Sequence, residues 1–257
     1  MTKIYYFSGT GNTLWSAKKI AEKLGSECEL FNIGIEAYKN KIILEADTVI
    51  LLFPSYAYGL PLIVSRFVKN AEFKTSYVAS FVTFGTSPGG TLGHLGRILK
   101  KKNITSTFFG HIPSVENYIA IFGPQSTKTI EKRLRMQKEV TEKVYEIIKM
   151  RKINTVNTFR PLSTFISFLF TLGLSSFYKN YHVNVSCNGC GICERVCPVS
   201  AISMQEKRPV FSKKCEHCQG CLNWCPQKAI SFGRLRAATP RYNHPEITIS
   251  DIARKTT

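Results

Sequence analysis

Near the C-terminal end of the chain one short pattern occurs twice. Cys187-Asn-Gly-Cys190-Gly-Ile-Cys193-Glu-Arg-Val-Cys197-Pro198 returns 28 residues later as Cys215-Glu-His-Cys218-Gln-Gly-Cys221-Leu-Asn-Trp-Cys225-Pro226. Both copies read C-x2-C-x2-C-x3-C-P, and duplication of one unit is the simplest account. Eight of the nine cysteines are spent on this repeat, so any fold of the chain must bring two sets of four thiols together. Disulfides in a secreted protein fit such regular groups poorly, whereas metal ligation in a reducing compartment fits them well.

A cubane 4Fe-4S cluster needs four soft thiolates from different directions. Three cysteines on a tight loop wrap one cluster, and the fourth, a helical turn further on, points away to the other. Cys187, Cys190 and Cys193 are therefore expected to join Cys225, and Cys215, Cys218 and Cys221 to join Cys197. Zinc needs only two C-x2-C knuckles per ion and leaves the four-cysteine run and both prolines without a reason. Residues 183–235 resemble the bacterial 2[4Fe-4S] ferredoxins, which implies a small α+β domain and one-electron transfer through each of two 4Fe-4S clusters.

Residues 1–152 have another rhythm. Apolar runs at 3–8, 28–33, 48–53, 77–84 and 104–110 alternate with helix-like segments at 13–24, 60–70, 91–102 and 127–152. Strand then helix, repeated, means right-handed crossovers and a parallel sheet covered on both faces. Ligands of such sheets lie beyond the carboxyl ends of the strands. Three loops at those ends stand out: Ser8-Gly9-Thr10-Gly11-Asn12-Thr13, Pro54-Ser55-Tyr56-Ala57-Tyr58-Gly59-Leu60-Pro61, and Phe84-Gly85-Thr86-Ser87-Pro88-Gly89-Gly90. The first offers hydroxyls and free amides at a helix N-terminus, a neutral cradle for a phosphate. It lacks the Walker lysine, and Leu14 stands where a dinucleotide fingerprint has its third glycine, so direct oxidation of a nicotinamide is not expected.

Residues 8–13 resemble the phosphate loop of flavodoxins. That resemblance implies FMN, with Ser8, Thr10, Gly11, Asn12 and Thr13 at its phosphate, Tyr56 and Tyr58 at the ring face, Thr86, Ser87, Pro88, Gly89 and Gly90 at the ring edge, and Ser55 among the cofactor-binding residues. The two ring loops hold no Asp or Glu, unlike the acidic surroundings usual in flavodoxins. A reduced flavin that is less destabilised, and a higher second potential, are expected.

The fold class is α/β: a flavodoxin-like doubly wound parallel sheet in residues 1–152 with a second, smaller α+β ferredoxin-like domain in 183–235. Residues 153–182 form an apolar linker and 236–257 a tail, whose Arg241–Glu246 segment is read as a strap over the other domain. The whole resembles a family of flavodoxin-ferredoxin fusion proteins, implying an iron–sulfur flavoprotein that relays electrons between its clusters and FMN. A flavin-free first domain that docks a larger enzyme, and a membrane-associated reductase acting on a quinone, are the alternatives.

From Pro161 to Tyr178 no residue is charged. Ser163, Ser167, Thr171 and Ser175 recur every four residues, as a thin polar stripe on a helix buried between the domains. Peripheral contact with a membrane is the second reading of this segment. The formal charge is +18, which favours an acidic redox partner protein. The basic residues are spread over helices, so nucleic acid is not an expected partner. Nothing resembling a secretory signal precedes the first strand, and a cytoplasmic location is expected. Cys28 reads as a small buried hydrophobe, and the histidines as ordinary residues.

Overall fold

The computed structural model describes residues 1–105, 107–156, 160–233 and 239–253, the side chains of 174 and 175 excepted. In the first half, β1 (Thr2–Tyr6), α1 (Asn12–Leu24), β2 (Cys28–Asn32), α2 (Ile33–Glu36), β3 (Ile43–Glu45), β4 (Thr48–Pro54), α3 (Leu62–Asn70), β5 (Glu72–Lys74), β6 (Tyr77–Phe84), α4 (Thr91–Lys101), β7 (Thr107–Pro113), α5 (Ile119–Phe122) and α6 (Thr127–Lys149) follow in order. Five strands make one sheet in the order β2-β1-β4-β6-β7, all parallel. Counting only these strands, the order is 2-1-3-4-5, which is the flavodoxin-like doubly wound arrangement. The short β3 and β5 pair with each other beside it.

Side chains of successive residues take opposite faces of the sheet. Tyr5, Val49, Leu51, Phe53, Val78 and Val82 pack with Ile63, Val64 and Phe67 of α3 and Leu95 of α4. Ile4, Ile50, Leu52, Ala79 and Phe81 pack with Ala17 and Ile20 of α1 and Val144 and Ile148 of α6. Two-sided burial is why β4 and β6 read as unbroken apolar runs. Cys28 lies at the margin of the second layer, where burial pushes its thiol up to about 11.

The last strand of the sheet begins at Thr107, three residues later than its apolar run suggests. Ile104 belongs instead to the end of α4. Asn103 takes a left-handed φ of 59°, the Ile104 amide donates to the Leu99 carbonyl at 3.0 Å and the Asn103 amide to Lys100 at 3.0 Å. This is a Schellman motif, whose residue after the left-handed position is characteristically apolar.

The second half begins with α7 (Pro161–Phe177). It continues through β8 (Tyr181–Val183), α8 (Ile192–Arg195), β9 (Ile202–Gln205), β10 (Arg208–Phe211), α9 (Gly220–Asn223), β11 (Ile230–Phe232) and α10 (Ile249–Ile252). β8 pairs with β11 and β9 with β10, both antiparallel. Tyr181, Val199, Ile202, Leu222 and Ile230 continue the first apolar layer of the sheet, so the halves share a core.

α7 differs from the buried helix expected. None of its described residues is fully buried, and Leu162, Phe165, Phe168 and Leu172 are 72%, 58%, 57% and 61% exposed. The Ser/Thr stripe is the side that faces the protein: Ser163 Oγ lies 2.8 Å from where a Gly90 Cβ would be, and Ser167 blocks the same position on Gly59. Small hydroxyls let the helix lie close against glycine loops. Ser175 lies outside the described side chains. Among the described residues no helix is long and apolar enough to cross a membrane.

Candidate cofactor sites

The turn from β1 into α1 is held from several sides. Gly11 caps α1 with a φ of 99°, a conformation that suits glycine. Asn12 Nδ2 donates to the Val115 carbonyl at 2.9 Å, and its Oδ1 accepts from the Tyr242 hydroxyl at 2.7 Å. The Asn12 side chain is thus committed to holding the loop. Thr13 and Thr83 share a hydroxyl hydrogen bond of 2.7 Å. Thr10 Oγ1 accepts from Asn117 Nδ2 at 2.6 Å, which leaves its own proton free to be donated. The tail crosses the loop: the His244 amide donates to the Thr10 carbonyl at 2.9 Å, and the His244 ring stacks on Trp15 at 5.0 Å.

Beyond β4, Tyr56 and Gly59 exchange both backbone hydrogen bonds, at 3.0 and 2.9 Å. Ala57 and Tyr58 between them have φ of 45° and 62°, a left-handed pair that only local bonding sustains in residues with a Cβ. Ser55 Oγ is tied to Thr91 at 2.8 Å and to the Pro88 carbonyl at 3.2 Å, and the Gly90 amide donates to the Tyr58 carbonyl at 2.9 Å. The loops after β4 and β6 are therefore one unit.

These loops wall a cavity of ≈ 470 Å³, a volume typical of small-ligand sites. Ser8, Thr10, Asn12 and Thr13 line one part, and Ser55, Tyr56, Tyr58, Thr86 and Ser87 another. Gly11, Pro88, Gly89 and Gly90 are not among the lining residues: Gly11 turns toward His244 and Ile247, and Gly89 abuts Tyr58. They shape the loops rather than face the space.

Three further segments complete the wall. The loop after β7 brings Glu116, Asn117 and Tyr118; α7 brings Ile166, Phe170 and Phe177; and the second cysteine loop brings His217, Cys218 and Gln219. Strand-end reasoning extended to β7 would have found the first, had β7 been placed at its true end. Glu116 corrects the picture of an acid-free surround, because its Oε2 accepts from Thr86 Oγ1 at 3.2 Å. Among the described residues neither Lys nor Arg lines the cavity. Tyr56 Oη and Gln219 Oε1 are buried without a partner, a deficit that calls for an explanation in any folded protein.

His217 is not an ordinary surface histidine. Its Nε2 pairs with the Tyr118 hydroxyl at 2.7 Å and its Nδ1 with the Tyr181 hydroxyl at 3.1 Å. Phe177 and Phe232 close round the ring, with centroids 5.3 and 4.4 Å away. Burial lowers its pKa to about 4.

The cysteines fall into two neighbourhoods. Cys187, Cys190, Cys193 and Cys225 line one small cleft. Burial, followed by the charges of Cys225, Cys190 and Cys187, raises the Cys193 thiol to about 11. Cys215, Cys218 and Cys221 lie near Cys197: burial raises the Cys218 and Cys221 thiols, and the charges of the other members add to it. In the two crossing positions the same bond recurs, Ala201 N–H to Cys197 Sγ at 3.2 Å and Ala229 N–H to Cys225 Sγ at 3.3 Å. Among the described residues no three His, Cys, Asp or Glu side chains are placed to hold a single metal ion.

Residues 186–229 match the 4Fe-4S dicluster domain model. This segment is a 4Fe-4S dicluster domain. A stretch of 49 residues is 45% identical to one component of an ion-translocating oxidoreductase complex of Methanosarcina acetivorans. That match spans 19% of this chain and 19% of the curated relative. Among solved structures, an FMN-dependent NADH-azoreductase of Bacillus anthracis in complex with FMN is 7% identical with a TM-score of 0.36, covering 56% of this chain and 100% of that one. The Trp repressor binding protein of Bacillus subtilis is 12% identical with a TM-score of 0.34, covering 54% and 96%. Likenesses at that level decide nothing, and the flavodoxin-like fold rests on the strand order. The chain joins that fold to an iron–sulfur dicluster domain.

Proposed function

We propose that the chain carries two 4Fe-4S clusters and one FMN, and that electrons pass between them inside a single molecule. Cys187, Cys190, Cys193 and Cys225 would hold one cluster, and Cys215, Cys218, Cys221 and Cys197 the other. When bound, the clusters supply one-electron steps and the flavin joins one-electron to two-electron chemistry. The carrying observation is that Cys218, from the second set, lines the same cavity as Ser8, Thr10, Tyr56 and Tyr58.

The residues fit FMN by their chemistry. Hydroxyls and amides at the start of α1 suit a phosphate without a cation, Tyr56 and Tyr58 offer flat apolar faces, and Thr86 and Ser87 offer polar atoms at the other side. Tyr118, Phe170 and Phe177 add aromatic faces to the wall shared with Cys218. The second cysteine set, against the cavity, is the inner one. The first set is the outer one, with Cys190 exposed, and is where an acidic carrier protein would dock on this basic chain.

An anaerobic reductive titration of the cluster-reconstituted protein, with flavin and iron assayed on the same sample, tests the relay. Flavin bleaching that follows reduction of the clusters is expected. Iron without flavin would leave the first half as a docking module.

A further inference from the structure

α7 is amphipathic the wrong way round for a helix that only joins two domains. Its hydroxyl stripe, Ser163, Ser167 and Thr171, faces the glycine loops, while Leu162, Phe165, Phe168, Leu169 and Leu172 form the opposite face and are all at least half exposed. Leaving so large an apolar surface in water is costly, and such patches mark interaction sites. The patch continues to the cavity: Leu169, Ile121 and Phe122 line it and are themselves exposed.

The charges round the helix indicate what covers it. Arg160 and Lys179 stand at its two ends, and no Asp or Glu occurs between Glu146 and Glu194. An apolar face with a cation at each end complements a bilayer surface carrying anionic lipid, with the side chains among the acyl chains and the cations at the headgroups. The helix has 17 residues, about 26 Å at 1.5 Å per residue, less than the roughly 30 Å hydrocarbon core. Its inner side is also held by the protein, so it lies on the membrane rather than through it.

We infer that the outer face of α7 seats the protein on anionic membranes, with the apolar rim of the cavity at the lipid surface. Flotation of the full-length, cluster-loaded protein tests this with vesicles of phosphatidylcholine alone or mixed with phosphatidylglycerol. The protein is expected to rise with the mixed vesicles, to stay behind with pure phosphatidylcholine, and to be released by salt. The double variant Phe165→Ser/Phe168→Ser should lower the bound fraction about tenfold or more while keeping the visible spectrum and melting temperature, since both side chains point to solvent. Arg160→Gln/Lys179→Gln should weaken binding without touching the apolar face. Three results would overturn the inference: wild-type protein that stays behind with both vesicles, a double variant that still floats, or sedimentation showing a dimer that the double variant dissolves. The last would assign the face to a second copy of the chain.

Discussion

Replacing Gly9 by alanine probes the junction on which the proposed relay depends. A Cβ at Gly9 would lie 2.6 Å from the Cys218 carbonyl oxygen and 2.9 Å from the Cys218 Cβ. Both are well inside van der Waals contact, and the nearer is backbone, which cannot swing aside. Trp224 Nε1 also donates to the Gly9 carbonyl at 3.0 Å, so the loop cannot retreat without stretching that bond. Overpacking of this kind costs about 1–3 kcal/mol, and loss of the indole bond adds about 1 kcal/mol. For a chain of this size 1 kcal/mol moves the melting temperature by about 2–4 °C. Gly9→Ala should therefore melt roughly 4–16 °C lower, read by circular dichroism on the anaerobic, cluster-loaded protein. Trp224→Phe, which removes the bond and leaves space where part of the buried indole lay, should also melt below wild type. Stopped-flow reduction should show the cluster absorbance bleaching at its normal rate, with any flavin bleaching delayed. A Gly9→Ala protein that melts within about 2 °C of wild type would refute the close seating of the second cysteine loop on the β1–α1 turn.

Two further outcomes follow from the cavity wall and its strap. Asn117→Ala removes the donor to Thr10 Oγ1 and should weaken the proposed FMN binding about tenfold, the equivalent of one hydrogen bond; fluorescence titration that finds an unchanged affinity would remove Asn117 from the site. Burial lowers His244 from 6.5 to about 4, with Glu246 pulling the other way, so the unfolded chain takes up the extra proton first. His244 therefore gives its full stability above pH 6.5 and loses it as the pH falls toward 4, a drop of about 2 kcal/mol between pH 7 and pH 5. Urea unfolding at both values checks it against His244→Gln, whose pH dependence should be smaller by that amount.

The sheet was legible because its central strands are buried on both faces, which leaves continuous apolar runs such as Thr48–Pro54 with little else they can form. The cysteine repeat was legible because its chemistry dictates its spacing. What escaped was set by contacts between distant segments. Ile104 reads as a strand residue until the left-handed Asn103 is known, and moving β7 by three residues is what brings Glu116 and Asn117 into the wall. The hydroxyl stripe of α7 was read correctly as a stripe, but its direction depends on Gly59 and Gly90, loops far away in the chain that periodicity along the helix does not encode. His217 looked ordinary because its aromatic neighbours, Tyr118, Phe177, Tyr181 and Phe232, are scattered through the chain.

The crossing of the tail over the first turn also has a temporal side. Residues 8–13 leave the ribosome well before residues 242–244, yet bonds that finish their turn come from Tyr242 and His244. A nascent chain can build the parallel sheet early, but its ligand loop stays open until the cysteine repeat has been made. If FMN binds there as proposed, it would be locked in last, into a molecule whose cysteine loops are already made, and a flavin-loaded molecule with no place for iron would seldom arise.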